Sequence, residues 1–179
     1  MVSYVVLTAV GPDRPGLVDE ISAFLAGNNV NIEDSRMAVL GGEFAVIMLA
    51  SGYEGWSENV GDKLAKLEEK TGLAIQIKPT VAPGQRRKTP SILHKVTATS
   101  MDHPGIVHEI TCLLGQHSIN IESLDTRVSN APLSGTPIFN MRGIVSVPAD
   151  VKISAVRKEL EELGDELNVD VSIDAVDNF

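Results

Sequence analysis

The amino-acid sequence predicts an α+β protein of two like domains, each a four-stranded antiparallel sheet with two helices on one face. Three observations predict it. The stretch from Asp13 to Glu33 recurs from Asp102 to Glu122 at a constant offset of 89 residues, and 12 of 26 positions are identical when Thr8 is aligned on Thr97. Apolar periodicity spells the order strand, helix, strand, strand, helix, strand once in each half. Between the halves lies residues 79–91, with three prolines, Gly84 and the basic run Arg86-Arg87-Lys88, the composition of a linker. Domains at 1–78 and 92–179 follow, because a repeat of this length is one structural unit and two copies are too few for a solenoid.

The elements follow in order. Val2–Val10 is almost wholly apolar and β-branched, the pattern of a strand with a covered face. Pro15 stands where a helix begins without losing a hydrogen bond, and Leu17, Val18, Ile21, Phe24 and Leu25 fall on one helical stripe ended by Gly27-Asn28-Asn29. Val30–Val39 and Glu43–Ala50 read as strands joined by the short turn Leu40-Gly41-Gly42. A helix at Trp56–Lys70, with Val60, Leu64 and Leu67 inward, leads to a strand at Leu73–Lys78 in which Leu73, Ile75 and Ile77 alternate. This βαββαβ order is the ferredoxin-like, split βαβ plan.

From Ile92 the order repeats: a strand to Ser100, a helix from Pro104 to Gln116 with Ile106, Val107, Ile110, Leu113 and Leu114 inward, and a strand from Ile119. The second copy departs at Ser129–Pro137, a longer polar connection that projects from the sheet. Phe139, Met141, Val145 and Val147 alternate in the next strand, a helix spans about Val151–Leu163, and Val169, Val171 and Ile173 close the domain.

Composition narrows the function. With 43% hydrophobic and 22% charged residues the chain is globular, and its longest apolar runs, Val5–Val10 and Phe44–Ala50, fall far short of the ~20 residues of a membrane span. No membrane partner and no secretory leader are expected, which places the protein in the cytoplasm. The net charge is −9, and residues 91–179 carry 13 acidic groups against 6 basic ones, so direct nucleic-acid binding is disfavoured. RNA readers of the same plan stack bases on exposed aromatics, whereas the strands here offer only Tyr4, Phe44 and Phe139.

Other chemistry finds little support. Cys112 sits on the apolar side of its helix and reads as a small core residue. His94, His103, His108 and His117 invite a metal reading, but His108 and His117 are nine residues apart and point to opposite sides of a helix, so solvated or loop histidines are expected. Glu159, Glu161, Glu162, Asp165 and Glu166 form an outer helix face, solvated or docked by a basic partner. No nucleophile motif, phosphate loop or cofactor motif is present, and neither a catalytic residue nor a cofactor is expected.

A strand followed by D-x-P-G-[LI]-V-x-E-I on a helix, then [VI]-N-I on the next strand, resembles the ACT domain, a small-ligand regulatory module, in both halves. Tandem units with Ser134-Gly135-Thr136-Pro137-Ile138-Phe139 before the third strand of the second resemble the glycine cleavage system transcriptional repressor family. The resemblance implies an amino-acid sensor without enzymatic activity. It would act through a protein partner such as a transcription factor, with a small amino acid, glycine among the candidates, as ligand. It also implies ACT pairing, within the chain or as a homo-oligomer. An alternative is the regulatory subunit of a separate metabolic enzyme of amino-acid or one-carbon metabolism.

The residues that would serve such a site recur in both copies. Gly16 and Gly105 remove a side chain at a helix start, where backbone N–H groups and the helix dipole favour a carboxylate. Asp13 and Asp102 before the helix, and Asn31 and Asn120 at the start of the next strand, are candidates for an ammonium group, with Pro15 and Pro104 shaping the loop. In ACT domains such a ligand lies between this loop and a strand of a paired domain. Two readings stay open for these residues: the aspartates as helix caps and the asparagines as turn residues, or all of them as ligand contacts.

Overall fold

The computed structural model describes residues 2–85 and 90–176, which form two compact units; the Arg86-Arg87-Lys88 run and the chain end at Phe179 lie outside the described residues.

In the first unit, strand β1 (Val2–Pro12) leads to helix α1 (Leu17–Gly27), strand β2 (Asn31–Leu40), strand β3 (Glu43–Tyr53), helix α2 (Gly61–Thr71) and strand β4 (Ala74–Thr80). The sheet order is β2-β3-β1-β4, with every neighbouring pair antiparallel. Alternation explains the layering: Val5, Leu7 and Ala9 of β1 and Phe44, Val46, Met48 and Ala50 of β3 are buried on the face that α1 covers with Leu17, Ile21 and Leu25. Leu73 and Ile75 add to that core. Strand β2 is an edge strand, exposed along its whole length.

The expected continuous helix from Trp56 to Lys70 is divided. A 3-10 turn at Trp56–Glu58 precedes α2, and the break lets the Trp56 ring and Val60 enter the core, both almost wholly buried. Burying a whole indole outweighs one turn of helix propensity.

The second unit repeats the plan: strand β5 (Ser91–Met101), helix α3 (Ile106–Gln116), strand β6 (Asn120–Asn130), strand β7 (Pro137–Pro148), helix α4 (Ile153–Leu167) and strand β8 (Asp170–Ala175), in the order β6-β7-β5-β8. Ile106, Ile110 and Leu114 of α3, Val156 and Leu160 of α4, and Phe139, Met141, Val145 and Val147 of β7 make its core. The connection before β7 is a folded tip: Ala131 N donates to Thr136 O, Gly135 N donates to Ala131 O, and Leu133 stands fully exposed.

One helix bound and two single-residue expectations are corrected. Helix α4 continues a turn past Leu163 to Leu167, because Gly164 is not a stop: it is buried inside the helix, and a Cβ there would lie 2.5 Å from the Val169 carbonyl oxygen. Cys112 is exposed, since the buried stripe of α3 runs through Ile106, Ile110 and Leu114 and leaves position 112 on the far side. His94 is neither solvated nor in a loop: it is buried on β5, its Nδ1 3.2 Å from Ile92 O.

Candidate ligand site

Strand β1 ends against the β2–β3 turn, where Asp13 N donates to Gly42 O at 2.9 Å; in the second unit Asp102 N donates to Pro137 O at 3.0 Å. The chain must then rise onto the helix within a few residues. It does so through Gly16 at φ 94° and Gly105 at φ 104°, left-handed conformations that cost an L-residue about 1–2 kcal/mol.

These glycines are themselves the residues that precede the helices, and neither helix start carries a side-chain cap. Asp13 and Asp102 therefore do not cap, which removes that reading of them. An α-helix leaves its first N–H groups without intrahelical partners, and here Glu20 N is the donor that closes the first turn, onto Gly16 O. The amides of Leu17, Val18 and Asp19 are left facing outward at the positive end of the helix dipole, where an anion is stabilised.

That helix start opens on a recess of about 340 Å³ lined by Asp13, Arg14, Gly16, Leu17, Val18, Asp19, Met37 and Phe44. Its apolar lining comes from Leu17 and Val18 of α1, Met37 of the edge strand and the buried Phe44 of β3. Arg14 is held as a fork: Nη1 and Nη2 donate to Glu20 Oε1 and Oε2 at 2.8 and 3.1 Å, and Nη2 also donates to Lys70 O. Lys70 Nζ lies 3.5 Å from Glu20. The hydrogen bond from Arg14 holds the Glu20 carboxyl below its ordinary range against the opposing effect of desolvation, and Glu20 in turn raises Arg14.

The second unit varies this chemistry. Under the offset of 89, His103 replaces Arg14, His108 replaces Asp19, Glu109 keeps the place of Glu20 and Thr126 replaces Met37. His103 is tied to the helix α4 end through Nε2 and Leu167 O, 3.2 Å apart. Around Gly105 the space a Cβ would fill is open, with nothing within 4 Å.

The structure brings Asp13, Gly16 and the helix start together, with Pro15 exposed beside them, and likewise Asp102, Pro104 and Gly105. It does not bring the asparagines to them within a unit. Asn31 pairs with Ser51, which pairs with Tyr4 at the opposite end of β1; Asn120 pairs with Ser146 and Leu93 in the same way. The cause is topological: α1 runs back along the sheet, so β2 starts at the far end from the loop that began the helix.

The asparagines belong instead to a constellation that sequence reasoning missed. Asn31 Nδ2 donates to Glu33 Oε1 at 3.2 Å, and Ser51 Oγ donates to the same oxygen; Asn120 Nδ2 and Ser146 Oγ donate to Glu122 Oε1 at 3.1 and 2.8 Å. Each glutamate sits at a register shift between the first two residues of its strand and the rest, a bulge that re-aims its side chain. Hydrogen bonds from Ser51 and Asn31 hold the Glu33 carboxyl below its ordinary range. The repeated Asn-Ile-Glu was a signal, but its serine partners emerge only when the repeat is continued past the longer connection, where the offset changes. Asp19, Met37 and Phe44 were missed as well, since nothing local marks a helix residue and two strand residues as neighbours of a loop.

The remaining candidates fall on the surface. Glu161, Glu162, Asp165 and Glu166 are exposed on α4, while Glu159 Oε2 meets His117 Nε2 at 2.8 Å. Phe44 and Phe139 are buried and offer no face for a nucleobase. Among the described residues no group of three or more His, Cys, Asp or Glu side chains is placed to hold a metal ion, and no helix is long and apolar enough to cross a membrane.

Comparison with known proteins matches the repeat. The ACT domain family matches residues 3–78 and again 94–165. The glycine cleavage system transcriptional repressor of Escherichia coli K12 is 31% identical over 173 residues, covering 97% of this chain and 90% of that protein, and the Shigella flexneri protein of the same name is equally similar. The crystal structure of an unknown protein from Galdieria sulphuraria superposes with a TM-score of 0.81 at 28% identity, covering 98% of this chain and 99% of that one.

Proposed function

This chain belongs to the ACT-domain family and, by its similarity along nearly its whole length, to the family of the glycine cleavage system transcriptional repressor; on that premise we propose that it is a non-enzymatic, amino-acid-sensing transcriptional co-regulator acting through a protein partner. The observation that carries the ligand half is the uncapped start of α1, opening on a recess that Asp13 and Asp19 also line. An amino acid is a zwitterion. Its carboxylate suits the amides of Leu17, Val18 and Asp19, and its ammonium suits Asp13 and Asp19, which line the same recess.

Asp13, Pro15 and Gly16, with Asp102, Pro104 and Gly105, are thus the proposed loop residues of the two sites. Asn31 and Asn120 belong to such a site only when supplied by an ACT unit other than the one that supplies the loop. The partner half of the proposal rests on charge and on helix packing. The helices spend their apolar faces on their own sheets, and a net charge of −9 repels phosphate, so sequence readout falls to another protein. Ligand occupancy then shifts the population competent to bind that partner.

A thermal-shift screen of the full chain against the twenty amino acids tests the ligand half. A bound amino acid at 100 times its Kd stabilises the folded state by about 2.7 kcal/mol and raises the melting temperature accordingly. A flat response to all twenty at millimolar concentration would refute the sensor reading.

A further inference from the structure

We propose that the helix-free face of the first sheet is the contact surface of a homodimer, packed face to face, not edge to edge, on the same face of a second copy about a two-fold axis parallel to the strands. Each sheet of this chain is the control for the other. Val5, Leu7 and Ala9 of β1 and Phe44, Val46 and Met48 of β3 are buried under the helices, so alternation turns Val6, Thr8, Val10, Ala45, Ile47 and Leu49 to the opposite face. Val10 and Ile47 are each 50% exposed. In the second unit Lys95 stands where Val6 does and Thr99 where Val10 does; Arg142 pairs with Thr97 as Ile47 pairs with Thr8, and Asn140 pairs with Thr99 as Ala45 pairs with Val10. There Thr97 Oγ1 and Ser172 Oγ meet at 2.9 Å, and Thr99 Oγ1 donates to Asn140 Oδ1 at 3.3 Å, both across strands. The fold therefore carries a solvated polar face at these positions, and the apolar face of the first unit is surface left for a contact.

A second copy fits this face in charge and in shape. Residue rows cross the four strands: Asp34, Leu49, Val6 and Lys78 make one, Arg36, Ile47, Thr8 and Gln76 the next, and Ala38, Ala45, Val10 and Ala74 a third. A two-fold axis along the strands lays each row on its own reverse. Asp34 of one copy then faces Lys78 of the other, Leu49 faces Val6, and Ala38 faces Ala74. Sheets packed face to face keep their strands within about 30° of each other, which preserves this matching. Asp34 is already held by Arg36 Nη1 at 2.5 Å, so the rim brings one acid and two bases, and the contact does not share the net charge of −9 that would drive two copies apart. A single four-stranded face lies at the small end of stable interfaces, so the dimer is reversible and depends on concentration.

Sedimentation velocity of the full chain from about 1 to 100 µM tests the proposal, with two variants copied from the second unit, Val6→Lys and Ile47→Arg. The second sheet holds Lys95 and Arg142 at these positions, so both variants keep the fold, which circular dichroism verifies. The parent chain should dimerise within that range, and each variant, by burying an unpaired charge in the contact, should raise the dissociation constant about 10-fold or more. Lys78→Asp should also weaken the dimer by setting a like charge against Asp34, and Asp34→Lys combined with Lys78→Asp should restore it. A parent chain monomeric throughout the range would overturn the proposal, as would dimers undiminished in Val6→Lys and Ile47→Arg, which would place the contact on another surface. A double variant no tighter than Lys78→Asp alone would overturn the pairing about that axis and the proposal with it.

Discussion

Asp13 and Asn31, which recur together in both copies of the repeat, stand at opposite ends of the first sheet, separated by the run of β1 from Tyr4 to Pro12, roughly 26 Å at ~3.3 Å per residue. They cannot hold one ammonium group within a unit. Asp13 is joined at its end of the sheet by Asp19, and Asn31 is spent on Glu33. Substitutions at the two residues should consequently separate.

Asp13→Ala should weaken amino-acid binding by about 1.5–3 kcal/mol, the range for a hydrogen bond to a charged group. Its effect on stability should stay within about 0.5 kcal/mol, because no cap is lost and surface substitutions rarely exceed that. Calorimetry and urea melts of the one variant measure both quantities. A stability loss near 1 kcal/mol with unchanged affinity would mark Asp13 as a cap after all.

Gly16→Ala and Gly105→Ala should each cost about 1–2 kcal/mol of stability, since both glycines hold left-handed backbone that a Cβ opposes. Space is not the cause: among the described residues beyond the chain neighbours, a Cβ at Gly16 meets Glu20 Oε1 at 3.8 Å and one at Gly105 meets nothing within 4 Å. Chemical denaturation of the two variants should therefore give similar losses; a neutral substitution at either would contradict the loop conformation described for that unit.

Gly164→Ala tests packing instead of conformation. Alanine is the better helix former by about 1 kcal/mol, yet its Cβ would meet the Val169 carbonyl at 2.5 Å. Overpacking should win, with a net loss of about 1–3 kcal/mol in denaturant unfolding. A stabilised variant would mean that α4 and the start of β8 are farther apart than described.

The acid limb of stability should carry the signature of Glu20 and Glu33. Both carboxyls are held below their ordinary range in the folded state, by Arg14 and by Ser51 with Asn31 respectively. A lowered folded value contributes stability that is complete above the unfolded glutamate value of about 4.3 and is lost as pH falls through the folded value. Urea midpoints measured from pH 7 down to 3 should fall less steeply in Glu20→Gln and Glu33→Gln than in the parent chain. Parallel curves would show that neither carboxylate is stabilised by its partners.

Much of the fold was legible because its signals are local. The alternation of Val5, Leu7 and Ala9 and the helical stripe of Leu17, Ile21 and Leu25 both name their buried faces without reference to any other element. The helix expected from Trp56 and the helix end expected at Leu163 differ from the structure because each depends on packing, of the Trp56 ring in the core and of Gly164 against the Val169 carbonyl, that local periodicity does not report. The site was half legible for the same reason. Pro15-Gly16 and its twin announce a helix start, whereas the distance from Asp13 to Asn31 and the approach of Met37 depend on which way each strand runs. A motif read along the chain carries no such direction.

The most direct test of the central claim is an amide chemical-shift titration of the isotope-labelled full chain with the amino acid that gives the largest thermal shift. Saturable shifts are expected, largest at Leu17, Val18 and Asp19, or at the equivalent Ile106, Val107 and His108, with little change at Glu161–Asp165. Saturable binding whose shifts leave both helix starts unmoved would contradict that claim.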